Sequence, residues 1–204
     1  MPDENGFGKY FTQMKTMVLI ELHQLAHIWN KDPTGIFVLE NLQIIHIKSC
    51  SSLKYLFTPS AAEKLSQLNE LKLEGFCGIL KSLFSLSSVK NLGKLKLLKL
   101  HSCEKIEEVI SNENNENVSI IFPLMECLML KDLPKLVNFC QQNETLNWPK
   151  LQIVRIINIP SMEKFSSGNL NTPLLRSIHV TFAKKIWLGS LYNTISYMHN
   201  NPGM

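Results

Sequence analysis

The stretch Leu95-Lys96-Leu97-Leu98-Lys99-Leu100-His101-Ser102-Cys103-Glu104-Lys105-Ile106 carries the pattern that decides the fold. Its apolar residues follow the frame L-x-x-L-x-L-x-x-(C/L)-x-x-(L/I), and the L-x-L core alternates as a strand with one buried face requires. The frame recurs seven times, with its ninth position at residues 22, 50, 76, 103, 133, 159 and 183. The pattern therefore predicts a chain of repeated units, each built around one short strand.

The spacing of these units predicts the fold class. Intervals of 24 to 30 residues between the ninth positions lie close to the roughly 20–29 residues of a leucine-rich repeat. We therefore expect an α/β fold, a leucine-rich-repeat solenoid or arc of about seven repeats with a parallel sheet on its concave face. A helix is predicted over residues 59–68, with Thr58 as its N-cap and Pro59 at its first position.

The same register predicts which side chains form the core. A second apolar pair follows each strand, for example Leu83-Phe84, Val109-Ile110 and Phe139-Cys140, and closes the unit from behind. The residues expected to be buried in the strands are Ile45, Ile47, Leu71, Leu73, Leu98, Leu100, Leu128, Leu130, Val154 and Ile156.

The chain divides into three parts. Residues 1–10 are expected to be an N-terminal extension, 11–190 the repeat domain and 191–204 a C-terminal tail. Residues 111–117 (SNENNEN) are polar and read as a surface loop. The apolar runs are too short to span a membrane, and the first ten residues lack the pattern of a secretory signal.

Composition and motifs favour a binding protein over an enzyme. The chain has 204 residues, of which 45% are hydrophobic and 19% charged, as in folded proteins. Its five cysteines lack paired metal-ligand spacing, and Cys50 and Cys103 occupy the ninth position of the frame, where small buried thiols fit. No phosphate loop or catalytic motif occurs, so we expect no cofactor, no metal and no enzymatic activity.

The residues that the frame turns outward suggest a binding surface. The second, fifth and seventh positions together contain eight Lys or Arg against two Glu, a charge of +6 compared with +4 for the whole chain. A surface with this charge can select an acidic protein partner. Alternatively, the lysines only keep the exposed side of the strands soluble. We expect no nucleic-acid partner. The candidate partner-binding residues are His46, Lys48, Lys72, Lys96, Lys99, Lys131, Arg155, Arg176 and His179.

Several phrases resemble a known family. They include Ile47-Lys48-Ser49-Cys50, Leu100-His101-Ser102-Cys103, Leu130-Lys131-Asp132-Leu133-Pro134 and Trp187-Leu188-Gly189-Ser190. Each is similar to the C-terminal leucine-rich repeats of plant intracellular nucleotide-binding leucine-rich-repeat disease resistance proteins of the coiled-coil class.

The resemblance implies a cytoplasmic recognition module of plant defence. Such a module senses a pathogen effector or a guarded host protein and restrains a nucleotide-binding switch domain. The alternative is a substrate-presenting adaptor of a ubiquitin ligase or a generic protein-interaction scaffold. The adaptor would need an F-box-like helical segment, which we do not find before residue 14.

Overall fold

The computed structural model describes residues 13–28, 37–75, 79–111, 122–141 and 146–201. Within them, a main sheet of eight strands runs along the molecule in the order β1-β2-β3-β5-β7-β10-β12-β13. Its strands are β1 Thr16–Ile20, β2 Ile44–Lys48, β3 Glu70–Glu74, β5 Leu97–His101, β7 Cys127–Lys131, β10 Ile153–Ile157, β12 Ile178–His179 and β13 Lys185–Ile186. All neighbouring pairs are parallel except β12 and β13.

The predicted register of the L-x-L cores is confirmed. Leu100 of β5 pairs with Leu73 of β3 on one side and with Leu130 of β7 on the other. All ten strand residues expected in the core are buried. Since successive side chains of a strand point to opposite faces, this burial fixes which residues face away from the core.

A second sheet, and not a helical layer, closes the units from behind. It consists of β4 Ser82–Ser85, β6 Glu108–Ser111 and β8 Asn138–Cys140, paired in parallel, and it contains the predicted apolar pairs. A small third sheet pairs β9 Leu146–Asn147 with β11 Leu170–Asn171. Because β-branched and aromatic residues such as Val109, Ile110 and Phe139 favour extended backbone, the outer layer forms strands.

The architecture is therefore a parallel β-solenoid of about five turns with little helix. Six main-sheet strands, from β1 to β10, have five residues each and are joined by five full turns. The end units are less complete: Leu22 is 43% exposed and Ala183 is also exposed, although both occupy the ninth position. The seventh unit breaks because the chain reverses from β12 into β13.

Thiols take part in joining consecutive turns. The Cys103 thiol lies 3.6 Å from the carbonyl of His101 and 3.9 Å from that of Leu73, which belongs to the preceding turn. Cys50 likewise lies 3.8 Å from the carbonyl of Leu19. Both cysteines are buried, as the frame predicts.

The predicted helix begins at the expected residue but is short. Helix α1 spans Pro59–Glu63, and the Thr58 hydroxyl accepts a hydrogen bond from the Ala61 amide at 3.2 Å. A turn in which the Leu68 amide donates to the Leu65 carbonyl at 3.0 Å then leads into β3, so no room remains for a helix to residue 68. The remaining helices are a 3-10 helix Phe37–Asn41, α2 Leu86–Val89 and α3 Leu191–Asn200.

The segment that we expected to be a C-terminal tail contains a helix. Helix α3 begins after Ser190, whose hydroxyl accepts from the Asn193 amide at 3.1 Å, and it buries Leu191, Thr194 and Ile195. Residues 191–200 are therefore packed on the core. No helix among the described residues is long and apolar enough to cross a membrane.

Only the first residue of the predicted surface loop belongs to the described part of the chain. Ser111 ends β6 and is buried, with its hydroxyl donating to the Phe84 carbonyl at 3.2 Å, so it is not a loop residue. Residues 112–117 lie outside the described part of the chain.

Candidate protein-binding face

The face of the main sheet opposite the core presents one aligned column of side chains. Each strand contributes its fifth frame position, and strand pairing places these residues side by side. We call this side the open face; its central column is Val18, His46, Lys72, Lys99, Met129, Arg155 and His179. All seven are at least partly exposed.

Two carboxylates neutralise the lysines at the middle of the column. Lys72 and Lys99 are direct neighbours across β3 and β5, an arrangement in which like charges repel. The Lys72 Nζ lies 2.7 Å from Oε2 of Glu70, and the Lys99 Nζ lies 2.7 Å from Oε1 of Glu74. Both lysines are therefore engaged within the chain.

Glu74 is the most heavily paired of these carboxylates. The Glu74 Oε1 that contacts Lys99 also lies 3.5 Å from Nε2 of His46. This distance is short enough for an ion pair, but the two atoms do not form a hydrogen bond. The hydrogen bond from Lys99 lowers the pKa of Glu74; nearby positive charge on Lys99, His46 and His101 lowers it further, whereas burial opposes the shift. Glu74 is thus held ionised on the open face.

Asp132 organises a second polar cluster at the ends of the strands. Its Oδ1 accepts a hydrogen bond from Asn158 Nδ2 at 2.8 Å, and its Oδ2 lies 3.2 Å from His101 Nε2 and 3.5 Å from Lys131 Nζ. The Asn158 bond, followed by the Lys131 charge, lowers the pKa of Asp132 against the effect of burial. Lys131 also lies over the Phe182 ring at 5.0 Å.

Three further carboxylates come from frame positions that the charge count of the sequence omits. Glu70 occupies the third position, whereas Glu21 and Asp132 occupy the eighth. Adding these two columns gives eight Lys or Arg against five carboxylates, a charge of +3 in place of +6. The open face is basic, but less so than predicted.

The eighth position has a conformational signature. Six consecutive units place it in the left-handed region, with φ between 52° and 69°, namely Glu21, Ser49, Gly75, Ser102, Asp132 and Asn158. Glycine, aspartate and asparagine tolerate this region best, so their presence at one position of the frame is a sequence signal for the turn. That turn places the Asp132 carboxylate beside His101 and Lys131.

Arg155 stands apart from the paired lysines. Its Nε is buried and has no hydrogen-bond partner, and no carboxylate in the described residues lies within ion-pair distance of its guanidinium. His179 is its neighbour in the central column. Burial lowers the pKa of His179, and the charges of Lys185 and Arg155 lower it further.

The remaining candidates lie at the margins of the open face. Lys48 ends β2 and Lys96 immediately precedes β5; both are exposed, and neither forms an ion pair with another described residue. Arg176 is also exposed, but its Nη1 donates to the carbonyls of Pro173 at 2.6 Å and Leu175 at 3.1 Å. Its guanidinium is thus partly occupied by its own backbone.

Comparison with known proteins agrees with this geometry. Residues 3–76 match the family model described as plant disease resistance protein RPS2-like, leucine-rich repeats. This match confirms the resemblance to resistance proteins over the part of the chain that contains the first three units. Searches among curated proteins and among solved structures find no match.

Proposed function

We propose that the chain is a non-enzymatic protein-recognition module of plant defence. The proposal is supported by the match of residues 3–76 to RPS2-like leucine-rich repeats. The module acts in the cytoplasm, senses a pathogen effector or a guarded host protein, and restrains a nucleotide-binding switch domain. The open face is the concave side of the repeat arc and the surface that meets the partner.

The separation of core and open face is the observation that carries this proposal. The strands from β2 to β10 bury their L-x-L side chains, as with Leu98 and Leu100 on either side of Lys99. Because stability comes from one side of each strand, the other side can be adapted to a partner at little cost to the fold. In addition, the central column contains no acidic residue.

The charge of the open face supports an acidic protein as the preferred partner. Lys72 and Lys99 already have carboxylate partners, so they contribute less than the sequence suggests. Lys48, Lys96 and Arg155 provide the positive charge that remains available. An electropositive surface speeds the association of an acidic partner and makes it sensitive to salt.

A charge-reversal experiment tests the proposal. The pair Lys48→Glu and Lys96→Glu changes the charge of the open face by about four units without altering a buried residue. We expect weaker binding to the nucleotide-binding switch domain of an RPS2-like resistance protein, mainly through slower association, and a smaller dependence on salt. Titrations at low and high ionic strength measure both effects.

The matched control is Lys105→Glu with Lys135→Glu, which changes the charge equally. Both lysines are exposed and lie in turns outside the main sheet. An equal loss of affinity in both double variants would show that only net charge matters. No loss in the first pair at either salt concentration would contradict the assignment of the open face as the binding surface.

A further inference from the structure

We propose that Arg155 is the docking point for a single carboxylate, supplied by an aspartate or glutamate that apolar residues flank in the partner protein. This inference rests on the proposed function, because it names the chemistry that the open face recognises. It also places the centre of recognition in the β7–β10–β12 part of the sheet.

The unsatisfied guanidinium of Arg155 is the first argument. A buried donor without an acceptor is unfavourable, and more so when it belongs to a charged group. The Nε of Arg155 is in this state, while the side chain as a whole remains partly exposed. A carboxylate that approaches the exposed part of the guanidinium from the open side supplies the opposite charge and a planar set of acceptors that suits this group.

The positive charge of Arg155 is not neutralised by a carboxylate of the described residues, in contrast to the neighbouring lysines. Lys72, Lys99 and Lys131 each have a carboxylate of the chain within 3.5 Å. Glu126 precedes β7 and is exposed, but it forms no ion pair with Arg155. The positive charge of Arg155 also contributes to the lowered pKa of His179.

The surroundings of Arg155 favour a monoanion with apolar neighbours. Met129 lies beside it in the central column, and Ile153, two residues earlier in β10, is 45% exposed. Burial and the charges of Lys185 and Arg155 lower the pKa of His179, which disfavours a second positive charge on that ring. Arg155 itself carries one charge beside apolar side chains, and a carboxylate matches that charge more closely than a doubly charged phosphate does. Phe182, 79% exposed, extends the apolar surface beyond Lys131.

The test is an NMR titration of the full chain with the peptide acetyl-Leu-Glu-Leu-amide. We expect saturable shifts of the Arg155 side-chain Nε–Hε signal and of the amides of Arg155 and His179. The matching peptide with Gln in place of Glu should bind at least about tenfold more weakly, because it lacks the charge. This comparison uses the unmodified protein and therefore does not depend on whether a variant folds.

Two variants locate the interaction. Arg155→Gln should abolish the preference for the Glu peptide, whereas Lys150→Gln, which removes an equal charge from an exposed turn just before β10, should retain it. Equal binding of the two peptides, or an equal loss in both variants, would overturn the docking point.

The outcome also separates this inference from the proposed function. Glu-peptide shifts centred elsewhere on the open face would reject Arg155 as the docking point but leave the face as the binding surface. Shifts at Arg155 together with unchanged affinity in the lysine reversals would support the docking point and count against the wider basic face.

Discussion

Glu74 shows how single residues shape the charge of the open face. It lies in β3 with Lys99 at 2.7 Å and His46 at 3.5 Å, and these partners come from the strands on either side of it. Without Glu74, Lys99 would face Lys72 with one carboxylate fewer nearby. Glu74, which lies beside the central column, therefore offsets part of the repulsion between two neighbouring lysines of that column.

Replacing Glu74 by Gln should produce a pH-dependent loss of stability. The pKa of Glu74 is lowered in the folded state, so its contribution is present above the pKa of the unfolded chain and disappears as the pH falls through the folded value. We expect a loss of about 0.5–1 kcal/mol near pH 7.5 and a smaller loss at about pH 3. Urea unfolding at both pH values measures it.

Glu104→Gln is the control for this prediction, because Glu104 is exposed and has no ion pair with a described residue. It should change stability little at either pH. A deficit in Glu74→Gln that is the same at pH 7.5 and pH 3 would mean that packing, and not charge, explains the role of Glu74.

Among the elements, helix α3 ends the solenoid. The main sheet finishes with the short antiparallel strand β13, beyond which α3 packs Leu191 and Ile195 against the core cluster. The Leu188 amide and the Ser190 carbonyl are both bonded to the Thr194 hydroxyl, at 3.0 and 2.7 Å. Terminal caps of this kind cover the apolar end of a repeat array.

Ile195→Ala should therefore destabilise the last turns of the solenoid. Ile195 is 2% exposed, and removing such a side chain costs about 2–5 kcal/mol. Tyr192→Ala, at a position 51% exposed in the same helix, should cost less than about 0.5 kcal/mol. Hydrogen exchange should show the loss first around β12 and β10. Equal stability of the two variants would indicate that α3 is a dispensable tail.

At the scale of the whole molecule, each turn is stabilised by its neighbours. Leu100 is fully buried and pairs with Leu73 and Leu130 of the adjacent turns. In such an array, stability is close to a sum of nearest-neighbour contributions. A defect in one turn should therefore weaken the adjacent turns more than the distant ones.

Leu100→Ala tests this linear organisation. We expect a loss of about 2–5 kcal/mol from the cavity, with hydrogen-exchange protection reduced most in β3, β5 and β7 and least in β1 and β12. Leu174→Ala, at a leucine that is 48% exposed, is the matched control and should leave protection unchanged. Uniform loss of protection in all strands would contradict a quasi-linear array and indicate one cooperative unit.

The local pattern of the chain was sufficient for the register of the main sheet. Period-2 alternation in each L-x-L core leaves one register in which Leu98 and Leu100 are buried, because a shift by one residue would expose both. The start of α1 was also predictable, since the Thr58–Pro59 pair acts within a few residues. The same alternation predicted that one side of the sheet, the open face, contains Lys72, Lys99 and Arg155.

Only the tertiary structure decided which of those charges remain available. The partner of Lys99 is Glu74, 25 residues away, and that of His101 is Asp132, 31 residues away. These contacts depend on strand pairing between turns and on the left-handed backbone at Asp132. The burial of α3 likewise requires the apolar end of the solenoid to be in place. Arg155 differs from Lys99 because no carboxylate of the described residues pairs with it. That difference depends on the positions of all the neighbouring side chains, which the sequence pattern does not give.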